Sequence, residues 1–309
     1  MSDTASTRAL LTDQIERVWG AGEVELVDHN YAADCIDHMP VAGQAPGIDA
    51  MKQIVRDFRI AMPDLKMELK GVLAAGDIGV DFWTLTGTHT GNLMGVAPTG
   101  RRVKFSGIDM ARVADGRIVE LWHCEEMLHF WQQLGRAEAP FGQPDRPDFA
   151  PPSTSRAHDP GHGVSIAIAT EPTAIERANV AVARRHIEHM WARSQPHIAD
   201  EVYVTNVVDH NPAPAQRSGI AGIQDVIGWM TQSVPDLQMS VKQYVVDGDF
   251  VADRWEMRGT HTGAPLMGLP ARGRSFEING MDVVRIADGR ITDVWHVEEF
   301  DRLRAAISA

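Results

Sequence analysis

Apolar residues recur at helical spacing near the start of the chain, at Leu11, Ile15, Val18 and Trp19, and again at Ile187, Met190 and Trp191. Each stripe is followed by a short second helical stretch ending near Tyr31 or Tyr203. Gly47 and Gly219 then precede two further stripes: Ile48, Met51, Ile54, Val55 and Phe58 in one, Ile220, Ile223, Val226, Ile227 and Met230 in the other. Beyond Pro63-Asp64 and Pro235-Asp236 the period drops to two. In "RWEMRGTH", Trp255, Met257, Gly259 and His261 alternate with Arg254, Glu256 and Arg258. "RVADGRI" and "RIADGRI" read as hairpin turns in which a glycine supplies positive φ. Helices first and antiparallel strands afterwards predict an α+β fold, with helices covering one face of a curved sheet.

The elements come in pairs because the chain is written twice. The pentapeptide GTHTG occurs at Gly87 and again at Gly259, and the same offset superposes Asp37-His38 on Asp209-His210. It also superposes Pro63-Asp64-Leu65 on Pro235-Asp236-Leu237, Trp83 on Trp255, Trp19 on Trp191 and Tyr31 on Tyr203. One inserted residue near Pro265 then aligns Gly107, Asp109, Trp122-His123 and Glu125-Glu126 with Gly280, Asp282, Trp295-His296 and Glu298-Glu299. A single insertion over about 125 residues means two copies of one domain. The boundaries are 1–136 and 173–309, and the proline-rich stretch 137–172 reads as a semi-extended linker. Its His158 and His162 lack a Cys or carboxylate cluster at ligand spacing, so they read as solvated.

At 309 residues the chain can build two cores. The net charge of −13 argues against nucleic acid and anionic membrane surfaces as partners. Two cysteines, Cys35 and Cys124, form no disulfide framework, and no signal sequence or 18-residue apolar run is present. The expectation is a cytoplasmic protein that uses no cofactor and no metal, since phosphate loops, nucleotide fingerprints and HExxH spacing are missing from the sequence.

Strand parity selects the candidate chemistry. If the first hairpin is a type I turn with Gly116 left-handed, Val113 pairs with Arg117 and Asp109 opposes Leu121. His123 then opposes Gly107, diagonal to Asp109, and His296 stands likewise to Asp282. A two-residue turn would shift the register and separate them. His89 and His261 share the parity of Trp83 and Trp255, which places them on a pocket wall. His38 and His210 cap the same cavity in this reading, with Tyr31, Tyr203, Glu125 and Glu298 around it. A histidine beside a carboxylate is equipment for proton transfer near neutral pH. A lone inward histidine is more often a hydrogen-bonded core residue, and the retention of these positions in both copies is what favours a shared pocket. His123 and His296 are expected to be bases, Asp109 and Asp282 their orienting partners, and His89, His261, His38 and His210 groups that polarise a substrate oxygen.

The run "GTHTGNLMGVAPTGRRVKFSGIDMARVADGRIVELWH", with "CIDHMP" and "MPDL" upstream, resembles the SnoaL-like polyketide cyclases of the NTF2-like superfamily. The resemblance covers both halves and leaves out the linker. It implies two tandem cone-shaped α+β barrels, each with a deep pocket, no cofactor, and a tandem arrangement that acts as an internal pseudo-dimer or joins a homo-oligomer. These cyclases are similar in using an aspartate on the last strand with a histidine on the strand before it. Here the types are exchanged, with His123 and His296 last and Asp109 and Asp282 before. The implied function is acid/base catalysis on a small apolar carbonyl compound, by aldol closure, isomerisation or elimination. Hydrolysis of an epoxide or ester in the same pocket, and ligand binding without turnover, remain the alternatives.

Overall fold

The computed structural model describes residues 3–41, 44–137, 157–159, 164–167 and 172–308. The chain divides into two units, Met1–Pro152 and Ser153–Ala309. Each holds an NTF2-like α+β domain, as the two stretches of pattern predict. Among the described residues no helix is long and apolar enough to cross a membrane.

In the first unit, Asp3 caps α1 (Thr4–Asp13) by accepting from the Ser6 N–H. The helix runs on through π-helical turns over Gln14–Ala21 that bury Gln14, Ile15 and Val18. A short α2 (Val27–Asn30) feeds β1 (Tyr31–Asp37), and α3 (Ile48–Ala61) buries Val55, Phe58 and Ala61. Strands β2 (Lys66–Ala75), β3 (Ile78–Thr88), β4 (Arg102–Ala114) and β5 (Arg117–Glu125) follow, and α4 (Met127–Gln133) closes the unit. The sheet order is β1-β5-β4-β3-β2, with β1 parallel to β5 and every other pair antiparallel.

The segment expected to be linker contributes two short strands, β6 (Ala157–Asp159) and β7 (Val164–Ala167). Residues 138–156, 160–163 and 168–171, His162 among them, lie outside the described residues. The second unit then repeats the first: α5 (Ala174–Arg184) with π-helical turns over Arg185–Trp191, α6 (Ala199–Val202), β8 (Tyr203–Asp209) and α7 (Ile220–Ser233). After them come β9 (Gln238–Asp247), β10 (Phe250–His261), β11 (Arg274–Ala287), β12 (Arg290–Glu298) and α8 (Phe300–Ser308). The order β8-β12-β11-β10-β9 mirrors the first sheet, and β7 and β6 extend it beyond β9. Arg254, expected on a solvent face, is buried, because the first half of β10 is buried on both faces.

The repeated GTHTG and Pro-Asp motifs explain each other. Asp64 of the Pro-Asp turn accepts from the Thr88 N–H at 2.6 Å and from the Thr88 hydroxyl at 2.7 Å, and Asp236 accepts from the Thr260 N–H at 2.7 Å. Directly afterwards the backbone meets a helix end. The N–H groups of Thr90 and Gly91 both donate to the Ala61 carbonyl, and those of Gly263 and Ala264 donate to Ser233 and Gln232. These bonds satisfy carbonyls that the ends of α3 and α7 leave without helical partners. Such an approach leaves no space for a side chain: a Cβ on Gly263 would lie 1.9 Å from the Gln232 carbonyl oxygen. Gly263→Ala is therefore expected to destabilise the second unit by about 1–3 kcal/mol, the usual cost of forcing atoms into a packed site. Its unfolding transition in calorimetry should move down while that of the first unit stays in place; an unshifted transition would refute the account.

Candidate active site

The hairpin that carries Asp109 and His123 turns over two residues, Asp115 and Gly116, both left-handed with φ of 50° and 73°. Ala114 pairs with Arg117, not Val113 as expected from a longer turn. A two-residue turn alone would put the acid and the imidazole on opposite faces. A bulge at Val119 adds one residue to β5 and restores the parity. The result is a register in which Asp109 stands directly opposite His123, and Gly107 opposite Glu125. The second copy has the same turn and the same bulge, at Thr292, so that Asp282 faces His296.

His123 is held by two carboxylates. Its Nδ1 lies 2.7 Å from Glu125 Oε1 and its Nε2 lies 3.2 Å from Asp37 Oδ1. His296 has the same partners at the same places, Glu298 at 2.7 Å and Asp209 at 3.1 Å. Asp37 is fixed in turn by the Met39 N–H and the Gln44 amide, and Asp209 by Asn211 and Gln216. Both imidazoles are pushed well above the ordinary histidine range. Burial alone would favour the neutral ring, but the charges of Glu125 and Asp37, or of Glu298 and Asp209, outweigh it. The group remains open to solvent: the His123 side chain keeps 14% of its exposure and that of Glu125 22%.

Asp109 is the neighbour with the unusual proton. On its other side β3 places Asp81 directly opposite it, buried and sharing a carboxyl–carboxyl hydrogen bond with it. Its Oδ2 accepts from the Trp83 indole N–H at 3.1 Å. That bond needs Gly107, because a Cβ there would sit 2.3 Å from the indole ring. Burial first, and then the charge of Glu125, raise Asp109 to about 7, against the opposing effects of His123 and Trp83. Asp81 goes up still more decisively, through burial and the proximity of Asp109. Tyr31, buried among Val18, Ala111 and Leu121, keeps its proton because burial and the carboxylates of Asp109, Asp81 and Asp37 all disfavour the phenolate.

The second copy arranges its aspartate differently. Asp282 faces the buried Asp253, whose own proton is retained through burial and the charge of Asp282. Asp282 Oδ2 lies 3.3 Å from Nε2 of His186, whose Nδ1 lies 2.8 Å from the Tyr203 hydroxyl. The Trp255 indole N–H has no hydrogen-bond partner among the described residues. Position 186 matches Gln14 in the first copy, where the Oε1 is buried and likewise without a partner.

Four expected site residues lie elsewhere. His38 stacks on Trp122, with ring centroids 4.4 Å apart, and bonds Glu120 at 3.0 Å. Residues alternate across a strand, so Trp122 and Glu120 face away from His123 and take His38 with them. His210 repeats this with Trp295 and Asp293. His89 and His261 do share the face of Trp83 and Trp255, but six residues further along the strand, roughly 20 Å. There His89 Nδ1 accepts from the Thr99 N–H and His261 Nε2 donates to the Ala264 carbonyl, so both rings tie down the loop after their strand. Asp37, Asp209, Asp81, Asp253 and His186 were missed. Asp37 sat beside the histidine that drew attention, and Asp81 and Asp253 are a repeated pair two residues before the repeated tryptophans. His186 had no repeat to mark it.

The sequence model of the SnoaL-like polyketide cyclase family matches residues 9–134 and 181–307. A curated relative, aklanonic acid methyl ester cyclase DauD of Streptomyces sp. (strain C5), is 36% identical over 75 residues, 24% of this chain. The match spans 45% of that relative's length. TsrD from Streptomyces laurentii is 28% identical with a TM-score of 0.40, over 43% of this chain and 97% of that one. A SnoaL-like protein from Jannaschia Sp. CCS1 is 21% identical with a TM-score of 0.42, over 46% of this chain and 99% of that one.

The proton on Asp109 makes stability depend on pH. Below about 4 the group is protonated in both folded and unfolded chains; between about 4 and 7 only the unfolded chain releases the proton, so stability falls as pH rises. Above about 7 the penalty is constant. Asp109→Asn removes it, so the variant's melting temperature should gain on the wild type from pH 4 to pH 7 and hold the lead above. A gap that does not change with pH would contradict the assignment.

Proposed function

The chain belongs to the SnoaL-like polyketide cyclase family, and from that premise we propose that its first copy is an acid/base site in which Asp109 moves the proton and His123 supplies a fixed positive charge. The observation that carries this reading is the occupancy of His123. Both ring nitrogens already face carboxylates, so the ring has no lone pair for a substrate proton. Asp109, one strand away, sits near its midpoint at neutral pH, which suits a group that must both take and return a proton.

The substrate is a small, largely apolar carbonyl compound with an acidic hydrogen beside the carbonyl. Trp83, Ile15, Phe58 and Met62 belong to the apolar cluster that walls this face. The relative's name, a cyclase of a methyl ester, supports that class. Asp109 takes the hydrogen, and the electron pair left on carbon passes into the carbonyl as an enolate. The His123 imidazolium, opposite Asp109, offsets part of the negative charge of Glu125 and Asp37 that this anion would otherwise meet. In an aldol closure the enolate carbon then forms a bond to a second carbonyl carbon, and the alkoxide produced recovers the proton from Asp109. Isomerisation returns the proton to a different carbon through the same group.

In a chain whose second copy carries Asp282→Asn, adding Asp109→Asn is expected to lower kcat/KM by about 10²–10⁴-fold, with turnover of aklanonic acid methyl ester or the general base probe 5-nitrobenzisoxazole as the readout. With Asp109 intact in that Asp282→Asn chain, kcat/KM should rise with pH with a midpoint near 7. Full activity on adding Asp109→Asn to the Asp282→Asn chain, combined with loss on adding His123→Gln, would return the base to His123. A compound held stoichiometrically and recovered unchanged would replace catalysis with binding.

A further inference from the structure

The two copies keep the same imidazolium but treat its aspartate in different ways. In the first, the Trp83 indole binds Asp109, and the corresponding helix residue, Gln14, leaves its Oε1 without a hydrogen-bond partner among the described residues. In the second, the helix supplies His186, buried to 2% of its side-chain exposure, and the Trp255 indole N–H has no partner among the described residues. The π-helical turns over Arg185–Trp191 carry this ring at their second residue.

The hydrogen bonds around His186 have a definite direction. Tyr203 is buried and keeps its proton, because burial and the charge of Asp282 disfavour the phenolate. The Asp282 carboxylate can only accept, so in a neutral ring Nε2 carries the hydrogen and Nδ1 the lone pair, to which the Tyr203 hydroxyl donates. The ring hydrogen is then on Nε2, pointing at Asp282 Oδ2, so the carboxylate is the acceptor at the end of a chain of two donors. On the strand side Asp253 faces Asp282, and the imidazolium of His296 stands opposite it on β12. One carboxylate oxygen is thus turned to the helix, and the orientation of the other is set with it.

We propose that His186 is a positioning residue that fixes the Asp282 carboxylate through a Tyr203–His186–Asp282 chain, making the second copy a proton-abstracting site distinct from the first. The proposal rests on the acid/base reading of the family site. It assigns the second copy the same class of C–H acid beside a carbonyl, taken by a carboxylate whose geometry is set by the helix instead of by a tryptophan. The two copies then serve two proton transfers within one chain.

The test uses the full chain with Asp109→Asn, which silences the first copy. The probe is 5-nitrobenzisoxazole. Asp282 takes its C3 hydrogen, the C–H electron pair becomes the third C–N bond, and the N–O bond breaks to release a coloured phenolate, so charge and atoms balance. His186→Gln installs the side chain the first copy carries and is expected to lower kcat by about tenfold to a hundredfold, with KM within about twofold, and to shift the pH–rate profile. Independently of turnover, ¹⁵N-detected imidazole spectra should show His186 with its hydrogen on Nε2, and Tyr203→Phe should shift the Nδ1 resonance. A hydrogen on Nδ1, or an unchanged kcat in His186→Gln, would overturn the proposal while leaving the first copy's reading intact. The expected tautomer together with no turnover in Asp109→Asn would instead remove the acid/base reading of the second copy, and the catalytic role of His186 with it.

Discussion

Three ionisable groups leave bulk water together in the Asp37–His123–Glu125 cluster, and each can do so because of the other two. A lone buried imidazolium would lose its proton, and either carboxylate alone would be driven to protonate. Together they hold a positive ring between two negative groups at 2.7 and 3.2 Å. The cluster carries a net negative charge, and that excess is what Asp109 meets across the strand. Its raised affinity for a proton is thus a consequence of the pairing opposite it, with burial beside Asp81 doing the larger share. Buried ion groups of this kind contribute little net stability. Their retention in both copies, at nearly equal distances, sets the same charged ring opposite Asp109 and opposite Asp282.

Seen this way, the glycines and the bulge are parts of one device. The bulge at Val119 converts a register that would separate acid and imidazole into one that opposes them. Gly107 removes the side chain that would block the indole of Trp83 from reaching Asp109. Neither feature adds to the core. Both set where a single carboxyl oxygen points.

The duplication made the architecture readable in the sequence, because helix stripes, Pro-Asp turns and hairpins recur in the same order and each copy confirms the other. The parity of Trp83, Asp109 and His123 was readable for the same reason. The pairing was not, since a two-residue turn and a one-residue bulge compensate and leave no composition signal. Recurrence also misled: GTHTG is kept in both copies because it docks strand to helix, and His89 and His261 were drawn into the site by a motif whose constraint is steric. His38 and His210 recur because they stack on tryptophan across the far face. His186 escaped for the opposite reason. It differs from Gln14, so a search for what the copies share passes over the one residue that sets them apart.

The location of the Asp109 proton is measured most directly by ¹³C carboxyl resonances followed from pH 4 to pH 9 in the wild type and in Asp109→Asn. The account predicts a resonance, absent from the variant, that titrates near 7 while the His123 ring stays protonated above the ordinary histidine value of 6.5. A carboxyl titrating near 4, with His123 losing its proton near 6.5, would contradict it.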